Sequence, residues 1–301
     1  MILSEEENKL RSFSDYNPLA VFIYYFCIML PIMFFQNPLL SIIGILSGVL
    51  YYLIRNGIKG IKNIWWIFVL VIVGAAINPL FMHNGVTVLF VINDSPITLE
   101  ALLFGLCSGI MIASVIAWFA SFNQIMTSDK LLYIFGSVSP KIALILSMTL
   151  RYIPLFKQQI TKTNNAQKAM GLYKEENLID KVRGGIRIFS VMVTWALENG
   201  VITADSMTAR GYGIGKRSRF AIFKWEKQDY MLLAASLLFT GITCISGFMG
   251  LFKINWYPAI TYADGGALTI ISYTAFTLLC LIPDYLQVRE ETKWKSLQSR
   301  I

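Results

Sequence analysis

Six long apolar segments set the strongest limit on how this chain can fold. They cover residues 19–35, 38–54, 64–82, 98–121, 230–251 and 265–284. Most reach or approach the roughly 20 residues that an α-helix needs to cross the hydrocarbon core of a bilayer. The composition agrees, because 55% of the residues are hydrophobic and 14% are aromatic, outside the range of soluble globular domains. We therefore predict an all-α polytopic membrane protein with about six transmembrane helices.

The basic residues predict how these helices are oriented. Six spans place both termini on one side, and 25 of the 26 Lys and Arg residues fall in segments on that side; only Lys253 lies on the other. By the positive-inside rule, both termini and the long middle segment are expected to be cytoplasmic. The predicted regions are a transmembrane block of four helices (1–121), a cytoplasmic region (122–229), and a transmembrane hairpin with a basic tail (230–301).

The net charge of +8 raises the question of a nucleic-acid partner. The charge is spread along membrane-proximal loops, which favours a cytoplasmic surface that faces lipid headgroups, and no nucleic-acid partner is expected. The four cysteines all fall inside predicted spans without metal-ligand spacing, so we interpret them as small buried hydrophobic residues. His83 is the only histidine and has no cluster of ligands near it in sequence, so no metal site is predicted.

Two features of the first block predict local packing. Residues 83–97 alternate in polarity, and Asn93-Asp94 could form the turn of a small external hairpin. The fourth span has a small residue at every fourth position, which lets another helix approach closely. The stripe consists of Gly105, Gly109, Ala113, Ala117 and Ser121. Packing within the protein is the favoured use, and contact with another subunit is the alternative.

The middle region predicts two long amphipathic helices. The first starts at Ser139-Pro140 and runs toward Gly171, with a predicted kink at Pro154. It contains an apolar run, 142–150, that is too short to cross a membrane. The second fits residues 178–210. Its apolar residues recur at steps of three and four: Ile179, Val182, Ile186, Phe189, Val193 and Leu197. We predict that these helices lie against the membrane or another membrane protein; the alternative is that they pack only on each other.

Cations and aromatic residues follow the second helix and predict an anchor at the membrane interface. They are Lys216, Arg217, Arg219, Phe220, Phe223, Lys224 and Trp225.

The end of the second predicted helix carries an isolated arginine. Arg210 is followed at once by Gly-Tyr-Gly, which breaks the helix and leaves the arginine where a cytoplasmic partner could contact it. The plainer interpretation is a cation favoured by the helix dipole. The nearby Gly215-Lys216 is followed by Arg217 and lacks the spacing of a phosphate-binding loop. The chain is therefore not expected to bind or hydrolyse nucleotide by itself.

One enzymatic alternative uses Asp205. The order Asp-x-x-x-Ala-Arg at 205–210 resembles half of the signature of CDP-alcohol phosphotransferases, which are also polytopic membrane proteins. Those enzymes hold two metal ions with several carboxylates at helical spacing. Here Ser206 replaces the expected glycine and the next aspartate is Asp229. One carboxylate is too few for that site, and no charged residue is predicted in the middle of a span.

Several motifs together resemble the transmembrane T component of energy-coupling factor transporters, the group that includes the cobalt-transport permease CbiQ. They are Asp15-Tyr16-Asn17-Pro18-Leu19, Asn78-Pro79-Leu80-Phe81, Gly85-Val86-Thr87, Pro96-Ile97-Thr98-Leu99-Glu100-Ala101, and two long helices that each end near an Ala-Arg-Gly motif. The second motif is intact as Ala209-Arg210-Gly211. The first is Ala169-Met170-Gly171, with methionine in place of arginine.

The resemblance implies a non-catalytic coupling subunit of an importer in a prokaryotic plasma membrane. Each motif would dock onto one of two P-loop ATPase subunits, which would hold ATP and Mg, and Met170 would make the docking asymmetric. The apolar helix faces would seat a small membrane-embedded substrate-binding subunit for a vitamin or a metal ion. The residues expected there are Ile142, Leu146, Val182, Ile186, Phe189 and Val193. A membrane scaffold without a transport role is the remaining alternative.

Overall fold

The computed structural model describes residues 13–57, 61–82, 85–92, 95–172, 178–215, 223–257, 260–262 and 265–298. In these residues the fold consists almost entirely of helices, with a short 3-10 helix at Phe13–Asp15 before them. The helices are α1 (Pro18–Phe34), α2 (Pro38–Asn56), α3 (Ile61–Phe81), α4 (Leu99–Ile125), α5 (Ser128–Val138), α6 (Pro140–Ala169), α7 (Leu178–Ala209), α8 (Lys227–Phe248) and α9 (Gly266–Gln298).

The chain divides into two compact units. The first consists of Met1–Lys130 with Phe223–Ile301, and the second is Leu131–Ile222. The first unit therefore contains α1 to α4, α8 and α9, and the second contains the helical pair α6 and α7.

Among the residues that the structure describes, six helices are long and apolar enough to cross a membrane, which confirms the predicted helical membrane class. These six helices differ from the six predicted spans in two places. The predicted first span is only the 17-residue helix α1, which is interrupted by Pro31. Asp180–Ala209, predicted as an amphipathic helix outside the membrane, also qualifies by length and composition. This helix qualifies because its charged residues are spaced widely enough to leave a long stretch that is mostly apolar.

The first two helices start with the same Asn-Pro sequence. The Asn17 side chain accepts a hydrogen bond from the Leu19 amide at 3.0 Å. Asn37 accepts one from the Leu39 amide, also at 3.0 Å. Proline costs nothing at the first helical position, because its missing N–H would have had no partner inside the helix. The sequence therefore fixes where α1 and α2 begin.

A cluster of aromatic side chains forms the core of the first unit. Phe13, Tyr24, Tyr25, Tyr51 and Trp118 are almost completely buried, and most of their contacts are edge to face. The indole N–H of Trp118 donates to the carbonyl of Gly44 at 2.9 Å. This bond gives the buried indole a partner and holds α4 against α2.

The small residues of α4 pack inside the protein, as predicted. A Cβ atom built on Gly74 of α3 would lie 2.6 Å from the Cα atom of Gly109, and one on Gly105 would lie 2.9 Å from the carbonyl oxygen of Gly74. The other residues of the stripe are also buried. Helices α3 and α4 can therefore pack at this short backbone distance only because Gly74, Gly105 and Gly109 have no side chains.

The predicted hairpin before the fourth span is also confirmed. Strand β1 (Val88–Ile92) pairs antiparallel with β2 (Ser95–Thr98). Glu100 is buried behind it, and its carboxylate accepts a hydrogen bond from the Thr87 hydroxyl at 2.8 Å and another from the Thr87 amide. A second two-residue pair, Ile254–Asn255 with Thr261–Tyr262, precedes α9.

Some predicted features lie outside the described residues. These are the turn at Asn93-Asp94, His83, and the anchor residues Lys216, Arg217, Arg219 and Phe220. Of the cysteines, Cys27, Cys107 and Cys280 are buried and Cys244 is half-buried.

The second unit is an antiparallel pair of long helices. The Tyr152 hydroxyl lies 2.9 Å from that of Thr203, and the rings of Phe156 and Trp195 meet with centroids 5.5 Å apart. Tyr152 comes before Phe156 along α6, whereas its partner Thr203 comes after Trp195 along α7. The two helices therefore run antiparallel. The predicted helices 140–171 and 178–210 are confirmed to within two residues, and Pro154 lies inside α6.

Candidate functional site

The carboxyl end of α6 closes with a backbone cap. The Met170 amide donates to the carbonyl of Ala166 at 3.0 Å, and the Gly171 amide donates to that of Lys168 at 3.0 Å. The Leu172 amide then reaches back to the carbonyl of Gln167 at 3.2 Å. The last two bonds are the pair that defines a Schellman motif, which satisfies carbonyls left without partners at a helix end.

The carboxyl end of α7 closes in the same way. The Arg210 amide donates to the carbonyl of Ser206 at 3.2 Å, and the Gly211 amide donates to that of Thr208 at 2.9 Å. The Tyr212 amide completes the motif on the carbonyl of Met207 at 3.0 Å. We call these two helix ends, residues 169–172 and 209–212, the helix-end caps.

Glycine is required at one position of each cap. Gly171 has a φ of +69° and Gly211 a φ of +79°, in the left-handed region that costs other residues about 1–2 kcal/mol. The residue immediately before each glycine is Met170 or Arg210, and both are exposed, Met170 by 67%. Each cap therefore holds one long side chain at the tip of a helix.

The two tips differ in chemistry. Among the described residues, the guanidinium of Arg210 has no hydrogen-bond or ion-pair partner. Its neighbours Tyr212 and Ile214 are exposed by 45% and 87%. The α7 tip thus offers a cation with apolar groups next to it, whereas the α6 tip offers an uncharged thioether.

The apolar stripe of α7 is exposed along its length. Val182, Ile186 and Phe189 are each exposed by more than 60%, and Val193 by 42%. On α6, Ile142 is exposed and Leu146 is half-buried. Because Tyr152 contacts Thr203, Ile142 and Leu146 lie toward the end of the pair where α7 finishes, and Val182–Val193 lie toward the loop that joins the helices. The residues predicted to contact the substrate-binding subunit therefore lie in two patches, one at each end of the helical pair.

Asp205, the centre of the enzymatic alternative, is an exposed residue in the last turns of α7. Within the described parts of the chain, no three His, Cys, Asp or Glu side chains come together as metal ligands would.

One buried carboxylate was not predicted from the sequence. Asp284 is 5% exposed and lies within the helix Gly266–Thr292 that is long and apolar enough to cross a membrane, at the position where the predicted span ends. The predicted segment ended at residue 284, whereas α9 continues to Gln298. The apolar residues Leu286 and Val288 beyond it are the signal that the helix continues past the aspartate.

The six helices of the described ranges that are long and apolar enough to cross a bilayer define a multi-pass helical membrane protein. The family model described as CbiQ, cobalt transport protein, matches residues 10–222, which include both helix-end caps.

Three curated relatives carry the name energy-coupling factor transporter transmembrane protein EcfT. That of Streptococcus thermophilus is 31% identical over 194 residues, 59% of this chain and 70% of its own. That of Listeria innocua is 27% identical over 233 residues, 70% and 85% of the two chains. EcfT 1 of Listeria monocytogenes is 28% identical over 199 residues, 61% and 72%. The chain therefore belongs to the family of CbiQ and energy-coupling factor transporter transmembrane proteins.

Proposed function

We propose that this chain is the coupling subunit of an energy-coupling factor importer and that its two helix-end caps are the docking points for two ATPase subunits. The observation that carries the proposal is the pair of matching caps, each of which presents one exposed side chain at the tip of a long helix. Because the cap hydrogen bonds already define the backbone of each tip, a partner that binds it has to order mainly the one side chain.

The ATP chemistry is assigned to the partners. Two P-loop ATPases would hold ATP and Mg, and their closing motion would reach this chain through α6 and α7. Arg210 is suited to forked, charge-assisted hydrogen bonds to a carboxylate. Met170 is suited to an apolar groove, since its thioether adapts to irregular surfaces. We infer that the two ATPase contacts differ in chemistry and that Arg210 supplies most of the polar contact.

The exposed stripe on α7 is assigned to a small membrane-embedded substrate-binding subunit. Val182, Ile186, Phe189 and Val193 share one helix face and are largely exposed in the chain alone. An apolar surface of this kind on a membrane protein calls for lipid or another protein. The substrate, a vitamin or a metal ion, would be selected by that subunit.

In this proposal α6 and α7 lie on the cytoplasmic side together with both termini of the chain. The distribution of Lys and Arg supports that placement. So do the charges along α7, such as Lys181, Arg187 and Glu198, which would be costly in a bilayer core.

The test is co-purification of the ATPase pair with the full-length chain from native membranes in mild detergent. Arg210→Glu should reduce the ATPase retained per chain by about tenfold, because a charge-assisted pair becomes a repulsion. Arg183→Glu is the matched control: Arg183 is an exposed arginine on the same helix, and its carboxylate contact, Asp180, is 3.9 Å away. Equal retention by the two variants would rule out the docking role of Arg210.

The Met170→Arg variant tests the other cap. Reduced retention of ATPase is the expected result, because an apolar groove that receives Met170 would have to bury the arginine charge without a partner. Retention equal to that of the unchanged chain would contradict an apolar groove and show that this cap accepts a cation as the other cap does.

A further inference from the structure

The second unit is joined to the first by two connections of the chain. The first unit ends at Lys130 and resumes at Phe223, so these two positions bound the helical pair in sequence. We call residues 126–130 the entry connection and residues 223–229 the exit connection. A movement of the helical pair that reaches the first unit along the chain has to pass through one of these connections.

The entry connection is held by a buried lysine. Lys130 lies in the first turn of α5, and only 9% of its surface is exposed. Its ammonium donates a hydrogen bond to the carbonyl of Ile125, the last residue of α4, at 3.0 Å, and another to the carbonyl of Ser14. The carbonyls at the end of a helix carry partial negative charge, so a cation is favoured there. Lys130 therefore ties the entry connection to Ser14.

The exit connection is held by a buried residue of opposite charge. The carboxylate of Asp229 is completely buried and accepts a hydrogen bond from the backbone amide of Asn17 at 2.8 Å. Its other oxygen accepts one from the backbone amide of Glu226 at 2.9 Å, as part of a capping box at the start of α8. Asp229 therefore ties the exit connection to Asn17, three residues after Ser14.

Both hydrogen bonds end on the backbone of one short segment, residues 13–17. The segment is itself buried, because Phe13, Tyr16 and Asn17 are each at most 6% exposed. The ring of Phe13 packs edge to face against that of Tyr24, with centroids 5.4 Å apart. A charged side chain that loses such a hydrogen bond is left buried without that partner, which is costly. Segment 13–17 therefore links the two connections through buried, charge-assisted contacts.

We propose that segment 13–17 clamps the entry and exit connections to each other and that Lys130 and Asp229 are the positioning residues of this clamp. The clamp makes the two connections respond as one, so that a movement of α6 and α7 reaches the starts of α1 and α8 together. This role in transmission rests on the proposed function. The clamp itself does not, because all of its contacts lie within the first unit. The alternative is two independent contacts, each of which stabilises only its own connection.

The first experiment asks whether the two contacts depend on each other in the purified full-length chain in lipid nanodiscs. Lys130→Met removes the ammonium and should lower the hydrogen-exchange protection of the Asn17 amide, which Asp229 binds, by about tenfold. Asp229→Asn should conversely raise the labelling of the Lys130 amine by an amine-reactive ester by about tenfold. An Asn17 amide that stays protected in Lys130→Met, or a Lys130 amine that stays unreactive in Asp229→Asn, would overturn the proposal.

The control is Lys227→Met, at an exposed lysine of the exit connection, which should change neither reading. Each variant is checked for folding by its thermal unfolding midpoint. If Lys130→Met does not fold, Lys130→Gln takes its place, because glutamine keeps N–H donors and loses only the charge. The same decrease in protection of the Asn17 amide is then expected.

The second experiment tests transmission in the complex that co-purifies with the ATPases. Hydrogen exchange is compared with and without ATP and vanadate, which hold the ATPase pair closed. In the unchanged chain, nucleotide should alter exchange in α7 and at the start of α1, whereas Lys130→Met should keep the response of α7 and lose that of α1. A response at α1 that survives Lys130→Met would overturn the transmission role. Absence of a response in α7 of the unchanged chain would contradict the proposed function instead, and the first experiment would still decide the clamp.

Discussion

Gly171 and Gly211 adopt the same left-handed conformation at the ends of two different helices, with φ of +69° and +79°. Around both glycines the three backbone hydrogen bonds follow the same pattern. The sequence difference between the caps, Met170 against Arg210, therefore changes the exposed side chain and leaves the backbone geometry the same. This relationship underlies the proposal of two docking points of unequal chemistry.

Substitution of either cap glycine by alanine should loosen its helix end. Gly171→Ala and Gly211→Ala each force a Cβ into the left-handed region, at a cost of about 1–2 kcal/mol. Hydrogen exchange should report this locally, as protection of the Leu172 or Tyr212 amide reduced by roughly five- to thirtyfold.

The control for the caps is Gly185→Ala, in the interior of α7. A Cβ there meets nothing within 4 Å, and alanine is favoured over glycine inside a helix by about 1 kcal/mol. This variant should leave the hydrogen-exchange protection of the neighbouring α7 amides unchanged or increase it. Unchanged protection in both cap variants would contradict the conformation described.

The contact between α3 and α4 should not tolerate side chains. Gly74→Ala places a Cβ atom 2.6 Å from the Gly109 Cα atom, so the helices must separate. Overpacking of this kind costs about 1–3 kcal/mol, and the thermal unfolding midpoint in detergent should fall. Gly241→Ala on α8, where a Cβ meets nothing within 4 Å, should leave the midpoint unchanged or raise it. Similar unfolding midpoints for the two variants would show that the backbones of α3 and α4 are not in close contact at Gly74.

Asp229 should be important for the stability of the first unit. Its completely buried carboxylate accepts hydrogen bonds from the backbone amide of Asn17 at 2.8 Å and from the backbone amide of Glu226 at 2.9 Å. Asp229 therefore joins the starts of α1 and α8. Asp229→Asn removes the charge and turns an N–H group toward one of these donors. We expect a loss of about 2 kcal/mol in the free energy of unfolding.

The exposed Asp205 provides the control for Asp229. Asp205→Asn should change the free energy of unfolding by less than about 0.5 kcal/mol, as surface substitutions do. Equal stability of the two variants, measured by denaturant titration in mixed micelles, would argue against the buried link.

Cysteine labelling can establish whether Asp180–Ala209 crosses the membrane. Cysteines placed at the exposed positions Lys181 and Asp205 lie near opposite ends of α7. The proposed topology places both on the cytoplasmic side, so an impermeant maleimide should reach both in inside-out vesicles and neither in intact cells. Lys253→Cys is the control that intact cells should label. Labelling of Lys181→Cys and Asp205→Cys from opposite faces would contradict the topology.

Helix α7 was predictable because two local signals agree. Its apolar residues recur at steps of three and four, and the Gly-Tyr-Gly break after Arg210 fixes its end. The start of α1 is similarly marked by Asn17 and the proline after it. Both signals lie within a few residues of the feature they specify.

Other features depend on contacts that no local pattern encodes. Asn17 and Asp229 are 212 positions apart, so their hydrogen bond cannot be inferred from either neighbourhood. Asp284 follows an apolar run and resembles the charged end of a span, yet packing of α9 buries it. Composition alone does not separate two classes of helix at Asp180–Ala209, which was predicted as amphipathic: its charges are spaced widely enough to satisfy both an amphipathic helix and a spanning one.

Site-specific photocrosslinking tests the central claim most directly. A benzoylphenylalanine is placed at Met170 in one variant and at Tyr212 in another, with Ile160, an exposed position in the middle of α6, as the control. After irradiation of native membranes, the account predicts that both cap positions crosslink to P-loop ATPase subunits and that position 160 does not. Crosslinks from both caps to membrane-embedded proteins alone, with no ATPase captured, would contradict it.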